Sequence, residues 1–138
     1  METRVYSWGD GRPWHSYAAY CRRHFGGRVR KIAVDAGLSC PNRDGTIGSE
    51  GCTFCDNRAF TPSYCSPRKS LTRQIEEGIA FHTARGRDEG LCLAYFQPFS
   101  NTHAPVARLR ELYAEALDHP RISGLVIGTR PDCVDDEK

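Results

Sequence analysis

LCLAYFQ, residues 91–97, is the stretch of sequence that decides the fold. Its apolar run has the length of a β-strand and ends on a glutamine. Continuous apolar character is typical of a parallel strand that is covered by helices, so we interpret this stretch as a buried strand. Helical apolar spacing recurs before it, in residues 71–82, and after it, in residues 105–117. A strand between two amphipathic helices predicts β-α-β units.

The remaining elements lie on either side of this centre. RKIAVDAG, residues 30–37, predicts an earlier strand centred on Ile32–Val34, and ISGLVIG, residues 122–128, predicts a later one. Apolar spacing from Trp14 to Phe25 predicts a first helix. It should end at Gly26, because glycine readily adopts the left-handed conformation at a helix end.

The predicted fold is α/β, with one helix followed by β-α-β-α-β and parallel strands. Three strands cannot close a barrel, which needs about 250 residues in its eight-stranded form. Asp135 and Asp136 resemble the start of another helix, yet the chain ends at Lys138. We expect residues 1–28 to be an N-terminal helical extension. Residues 29–138 should be the N-terminal part of a larger domain, truncated at its C-terminus.

The composition limits the class of protein. Hydrophobic residues at 39% and charged residues at 26% indicate a folded globular chain rather than a disordered one. The sequence has neither an apolar run of about 20 residues nor a secretory signal, so we expect a cytoplasmic protein without a membrane partner. Seven cysteines is an odd and high number for a cytosolic chain, which favours metal binding or redox chemistry over disulfides.

Three of these cysteines follow the first predicted strand. Cys40, Cys52 and Cys55 lie in CPNRDGTIGSEGCTFC, residues 40–55. QPFSNTH follows the second strand and TRPD follows the third. Because the carboxyl ends of parallel strands meet at one edge of a sheet, we expect these three polar loops to form one site.

The cysteine spacing leaves three interpretations open. Structural zinc would use Cys65 as a fourth ligand, although a zinc ribbon usually has two C-x-x-C pairs and this chain has one. A redox pair of Cys52 and Cys55 would leave Cys40 unexplained. A 4Fe-4S cluster on Cys40, Cys52 and Cys55 would leave one iron open to a further ligand.

The longer motifs carry a resemblance to a known family. GCTFC ends like the cysteine motif of the radical S-adenosylmethionine (SAM) superfamily. AGLSCPNRDGTIGSEGCTFC, YFQPFSNTHAP and GLVIGTRPDC together resemble the YhcC/YtqA group of that superfamily, whose members are related to the Elongator catalytic subunit. The resemblance runs from about Arg30 to the last residue, and members of the group continue well beyond that point.

The resemblance implies a partial TIM-type barrel and a radical SAM enzyme. Cys40, Cys52 and Cys55 would hold the 4Fe-4S cluster, whose open iron would bind SAM. One electron would cleave the sulfur–C5′ bond to give a 5′-deoxyadenosyl radical that abstracts hydrogen from substrate. The electron would come from a flavodoxin-type or ferredoxin-type donor, and tRNA is the substrate that the Elongator relatives suggest. The alternatives are a zinc-binding structural or RNA-binding module that uses Cys40, Cys52, Cys55 and Cys65, and an inactive truncated fragment.

We also predict roles for four individual residues, Phe54, Gln97, Arg130 and Asp132. Phe54 should pack beside the adenine of SAM or, in the simpler interpretation, in the core. Gln97, at the end of the second strand, is a predicted SAM contact. Arg130 and Asp132 should contact SAM or substrate, or else form a salt bridge that holds their loop.

For two further groups of residues, the sequence is compatible with two different roles. Asn101 and Thr102 are either SAM contacts or caps of the third helix. A basic run at Arg22, Arg23, Arg28, Arg30 and Lys31 is either a phosphate-binding surface or a solvated face around a helix end.

Overall fold

The computed structural model describes residues 4–87 and 90–138. The described residues form three α-helices and three β-strands in the predicted order. Their bounds are α1 Tyr17–Phe25, β1 Val29–Val34, α2 Leu71–Thr83, β2 Leu91–Phe96, α3 Val106–Leu117 and β3 Ile122–Ile127. Two short 3-10 turns, Asn57–Ala59 and Pro131–Cys133, lie in the loops after β1 and β3.

The strands form one parallel sheet in the order β1-β2-β3. Val34 pairs with Phe96, and Phe96 pairs with Ile127, so the three strands end at the same level. The loops that follow them therefore leave from one edge. An α/β fold with parallel strands is confirmed.

The boundaries of the helices follow from their capping residues. Ser16 accepts a hydrogen bond from Ala19 N, so α1 begins at Tyr17 rather than at the predicted Trp14. Gly26 ends this helix with φ 72°, as predicted. Ser70 caps α2 in the same way as Ser16 caps α1.

The core lies on one face of the sheet, between β1, β2 and the helices α2 and α3. Phe96, Ile32, Ile75 and Ala116 are fully buried there. Along β2, buried residues alternate with half-buried or exposed ones, and the buried ones belong to this core. The predicted strand is therefore buried on the face that carries the core and only partly covered on the other.

Gly78 allows α2 to approach β1 closely. A Cβ atom at this position would lie 2.5 Å from Cγ2 of Ile32 and 2.9 Å from Cε2 of Tyr64. Both neighbours are buried, so neither side chain has room to move aside. The absence of a side chain is thus a packing requirement in the middle of a helix.

Candidate metal centre

The carboxyl edge of the sheet surrounds a cavity of about 440 Å³. The loop after β1, the loop after β2 and the loop after β3 all contribute to its wall. The lining residues are Cys40, Asn42, Arg43, Gly51, Cys52, Phe54, Cys55, Asn57, Phe60, Gln97, Phe99, Ser100 and Arg130. The convergence of three polar loops that the sequence predicts is therefore present in the structure.

The segment from residue 40 to residue 55, called the cysteine loop below, folds through backbone turns. Arg43 N and Asp44 N both donate to Cys40 O, and Cys55 N donates to Cys52 O. Gly51 N donates to Asn42 O at 2.8 Å, which joins the two ends of the loop. These turns bring Cys40, Cys52 and Cys55 to the same cavity without any regular secondary structure.

Arg43 holds the cysteine loop together from inside. Its guanidinium donates to Cys55 O at 3.0 Å and lies over the ring of Phe99, 5.9 Å from the centroid. The same group packs on Gly51, where a Cβ atom would lie 2.8 Å from Cζ of Arg43. Gly51 also has φ 79°, a conformation that favours glycine. One arginine thus ties the loop to itself and to the segment after β2.

Hydrogen-bond donors point at two of the three sulfur atoms. Asn42 Nδ2 lies 3.1 Å from Cys52 Sγ, Ser100 Oγ lies 3.4 Å from Cys40 Sγ, and a guanidinium nitrogen of Arg130 lies 3.5 Å from Cys40 Sγ. Such donors stabilise a thiolate more than a thiol. The arrangement therefore favours the form of cysteine that binds metal.

The pKa of Cys40 reflects these donors. Burial acts to raise the pKa of this thiol, but hydrogen bonds from Ser100, from the backbone of Asn42 and from Arg130 outweigh it. The positive charge of Arg130 acts in the same direction, and the net result is a pKa below the ordinary value of 9.0.

The three sulfur atoms do not converge on a single ion position. Within residues 4–87 and 90–138, no three histidine, cysteine, aspartate or glutamate side chains are close enough together to hold one metal ion. A zinc ion requires its thiolates to converge at about 2.3 Å. In a 4Fe-4S cluster each thiolate binds a different iron, so a cluster does not require its thiolates to meet at one ion. Asn42 Oδ1 is also buried without a partner among the described residues.

Cys65 lies outside this cavity. Its thiol lies 3.2 Å from Ala33 O, to which it donates a hydrogen bond. Burial, followed by the negative charge of Asp35, raises the pKa of Cys65 to about 12, against a smaller opposing effect of Lys69. A protonated thiol that does not line the cavity is a poor fourth ligand, which argues against the zinc interpretation.

Phe54 is placed in the wall of the cavity and is 90% exposed. This exposure excludes the interpretation that the ring fills the core. Gln97 also lines the cavity, just past the end of β2. Both side chains are therefore available to a molecule bound beside the cysteines.

Asn101 and Thr102 are not placed in the wall of the cavity, although we predicted them as SAM contacts. The Asn101 amide donates to carbonyl oxygens of the loops after β2 and β3, among them Pro98 and Gly128, each at 3.0 Å. Thr102 Oγ1 donates to Cys133 O at 2.6 Å. Both are buried, and α3 begins after Pro105, so neither caps that helix. Their hydrogen bonds hold together the loops around the cavity, and their contact with SAM stays a prediction.

Arg130 and Asp132 form a bidentate ion pair with distances of 2.9 and 2.6 Å. The salt bridge that the sequence offered as the simpler interpretation is therefore present. Arg130 also lines the cavity, whereas Asp132 does not. The pairing lowers the pKa of Asp132 and aims the guanidinium at Cys40.

Several residues of this site were missed by the sequence analysis. Asn42 and Arg43 stand between the cysteines in the sequence, but nothing in their spacing marks them as functional. Ser100 and Phe99 reach the cavity because of the turn after β2, where Phe99 adopts φ 65°. The polar character of QPFSNTH was the signal, but it did not indicate which of its side chains face the cavity.

The chain is similar in sequence to three microbial proteins whose names indicate no function. It is 40% identical over 129 residues to uncharacterized protein YtqA of Bacillus subtilis, covering 90% of this chain and 38% of that protein. It is 42% identical over 114 residues to protein YhcC of Escherichia coli, covering 83% and 35%. It is 35% identical over 136 residues to uncharacterized protein MJ0486 of Methanocaldococcus jannaschii, covering 97% and 40%.

These relatives are longer proteins, and none of their names states an activity. The chain spans 35 to 40% of the length of the curated relatives that it matches. No protein-family model matches the chain, and no solved structure matches it. The chain therefore resembles YtqA and YhcC in sequence, but these relatives indicate no activity for it.

Proposed function

We propose that the chain is the cluster-binding and SAM-binding part of a radical SAM enzyme. Cys40, Cys52 and Cys55 would hold a 4Fe-4S cluster, and SAM would occupy the cavity beside them. The observation that carries the proposal is that three thiols from one loop line a single cavity at the carboxyl edge of a parallel sheet. When bound and reduced, the cluster supplies the electron that cleaves the sulfur–C5′ bond of SAM.

The residues around the thiols prepare them for this role. Asn42, Ser100 and Arg130 donate hydrogen bonds to the sulfur atoms and so stabilise negative charge on them. Arg43 and Gly51 hold the cysteine loop in its folded form. The protein thus contributes position and electrostatics, while the cofactors provide the reactive chemistry.

Other residues of the cavity suit the two ends of SAM. The exposed ring of Phe54 offers a flat surface for the adenine. The side-chain oxygen of Gln97 offers an acceptor for the ammonium group of the methionyl part. Arg130 lines the same cavity and offers positive charge for the carboxylate.

The fold supports a partial TIM-type barrel in the whole protein. In such barrels the helices lie outside a parallel sheet, and the active site lies at the carboxyl edge of the strands. Here α2 and α3 cover one face of the sheet, and the cysteine cavity lies at that edge. We therefore propose that residues 29–138 are the first part of such a barrel.

The resemblance to the YhcC/YtqA group suggests the location, the electron donor and the substrate of the whole protein. We propose a cytoplasmic enzyme that receives electrons from a flavodoxin-type or ferredoxin-type donor and acts on tRNA. No described helix combines the length and apolar character that a membrane span requires.

The test is anaerobic reconstitution of the chain with iron and sulfide, followed by measurement of bound iron, bound zinc and visible absorbance. We expect about four irons per chain and the brown colour of an iron–sulfur protein. Replacing Cys40, Cys52 or Cys55 with alanine should abolish both. Cys65→Ala is the matched control and should retain them, because this thiol lies outside the cavity.

Two outcomes would contradict the proposal. A colourless chain that retains one zinc ion, lost in Cys65→Ala, would establish the zinc interpretation. A chain that binds the cluster but neither binds SAM nor forms 5′-deoxyadenosine on reduction would establish the inactive fragment.

A further inference from the structure

Asn42 contacts two of the three thiols that line the cavity at the carboxyl edge of the sheet, called the thiol cavity below. Its side-chain Nδ2 lies 3.1 Å from Cys52 Sγ. Its backbone N–H forms a hydrogen bond with the Cys40 thiol. Its carbonyl oxygen accepts a hydrogen bond at 2.8 Å from N of Gly51, the residue before Cys52. One residue therefore connects the two ends of the cysteine loop through three separate groups.

The hydrogen-bond donors are distributed unevenly over the sulfur atoms. Cys40 Sγ lies within reach of both Ser100 Oγ and the Arg130 guanidinium. Cys52 Sγ depends on Asn42, which is the only side chain among residues 4–87 and 90–138 that donates to it. Removal of this one amide would therefore leave the Cys52 sulfur without a side-chain donor in the described part of the chain.

The chemistry of a metal-bound thiolate decides which end of the Asn42 amide faces Cys52. A sulfur atom that binds metal carries no proton, so it can only accept a hydrogen bond. Nδ2 is a donor and Oδ1 is only an acceptor, so Nδ2 is the end that stabilises this sulfur. Oδ1 is buried and has no partner within the described residues. A buried acceptor without a partner is destabilising, so folding stability does not account for asparagine at this position.

We infer that Asn42 sets the reduction potential of the 4Fe-4S cluster by donating from Nδ2 to the sulfur of Cys52, an inference that rests on the proposed function. Reduction transfers one electron from the electron donor to the cluster, which makes the cluster and its thiolates more negative. A hydrogen bond to the sulfur stabilises this added charge and raises the potential. The electron is then accepted more easily. Asn42 acts through Cys52 and is a positioning residue rather than a catalytic one.

The experiment is a redox titration of the full chain after anaerobic reconstitution with iron and sulfide. Dithionite supplies the electrons, soluble mediators set the potential, and electron paramagnetic resonance measures the reduced cluster. We expect Asn42→Ala to bind as much iron as the unaltered chain. At the potential that half reduces the unaltered cluster, the ratio of reduced to oxidised cluster should fall about ten-fold in this variant. This change corresponds to a midpoint potential about 59 mV more negative.

The matched control is Asn57→Ala, which removes an asparagine amide from the wall of the same cavity. The Asn57 side chain accepts a hydrogen bond from Phe99 N and donates to no sulfur atom within the described residues. Its midpoint potential should equal that of the unaltered chain. Equal shifts in Asn57→Ala and Asn42→Ala would overturn the inference, because a general disturbance of the cavity would then explain both.

The results also separate this inference from the proposed function. A cluster in Asn42→Ala with the midpoint potential of the unaltered chain would overturn the inference and leave the proposed function intact. An unaltered chain that binds no cluster would contradict the proposed function and overturn the inference with it. Urea unfolding of the iron-free chains completes the comparison. We expect Asn42→Ala to unfold at the same urea concentration as the unaltered chain, whereas a loss of stability with an unchanged potential would leave Asn42 a structural role alone.

Two further measurements cover the case in which Asn42→Ala does not assemble a cluster. Asn42→Asp keeps the shape of the side chain but replaces the Nδ2 donor with a negatively charged oxygen. Its midpoint potential should be more negative than that of the unaltered chain, and an equal or higher value would overturn the inference. In the unaltered chain, pulsed electron paramagnetic resonance should detect an isotopically labelled side-chain amide nitrogen of asparagine coupled to the reduced cluster. Absence of this coupling would likewise overturn the inference.

Discussion

The carboxylate of Asp44 lies 2.6 Å from Nε2 of His103, although 59 positions separate the two residues in the sequence. Asp44 belongs to the cysteine loop, and His103 follows the segment that carries Ser100. This contact therefore fixes the cysteine loop relative to Ser100, which donates to Cys40 Sγ. A contact between two loops, rather than either loop alone, sets the shape of the thiol cavity.

The first prediction concerns acid stability. Hydrogen bonds from Thr46, followed by the contact with His103, lower the pKa of Asp44 to about 2. Because the pKa in the folded state is below the ordinary value of 3.8, this carboxylate stabilises the fold above that value. The contribution is lost as the pH falls from about 4 through about 2. We expect Asp44→Asn to be less stable than the unaltered chain at pH 7 and to lose less stability on acidification.

Circular dichroism of both chains between pH 7 and pH 2 measures this difference. Asp136→Asn is the control, because Asp136 is exposed and makes no side-chain hydrogen bond within the described residues. Identical acid transitions for Asp44→Asn and the control would contradict the stabilising role of the Asp44 carboxylate.

The second prediction concerns thiol reactivity in the iron-free chain. The thiolate is the reactive form of cysteine, and the pKa of Cys40 is lowered whereas that of Cys65 is raised to about 12. We expect iodoacetamide at about pH 8 to alkylate Cys40 well before Cys65. Ser100→Ala should slow the reaction at Cys40 and leave Cys65 unchanged. Peptide mass spectrometry gives both rates, and faster alkylation of Cys65 would contradict the assignment of these environments.

The third prediction concerns SAM recognition by Gln97. This side chain lines the thiol cavity at the end of β2. Removing one hydrogen bond to a charged group costs about 1.5–3 kcal/mol, so Gln97→Ala should weaken SAM binding roughly ten- to a hundred-fold in the cluster-loaded chain. Gln97→Glu should retain binding, because a carboxylate also accepts from an ammonium group. Unchanged affinity in Gln97→Ala would transfer recognition to other residues of the cavity.

The fourth prediction concerns packing at Gly78. Alanine has a higher helix propensity by about 1 kcal/mol, but its Cβ atom would overlap buried atoms of Ile32 and Tyr64. Overpacking of this kind costs about 1–3 kcal/mol, so we expect Gly78→Ala to lower the free energy of unfolding. Urea denaturation measures it. Gly27→Ala, which meets no atom within 4 Å, should be neutral, and a more stable Gly78→Ala would refute the packing requirement.

The sequence by itself determined the order of elements and the edge of the sheet that carries the cysteines. Apolar spacing along a helix or strand depends on residues close in sequence, which is why the positions of α2, β2 and α3 were predictable. The end of α1 at Gly26 was predictable for the same reason. Because parallel strands end at one edge, the meeting of three loops followed from the strand assignments alone.

Only the tertiary structure decided which side chains of those loops face the cavity. The Asn101 side chain is buried and donates hydrogen bonds to the carbonyl oxygens of Pro98 and Gly128. Its neighbour Ser100 instead donates to Cys40 Sγ. Cys65 is held by Ala33, 32 positions away in the sequence. Such contacts join residues that are distant along the chain, and no local pattern encodes them. The sequence placed the loops, and hydrogen bonds between those loops selected the residues that form the site.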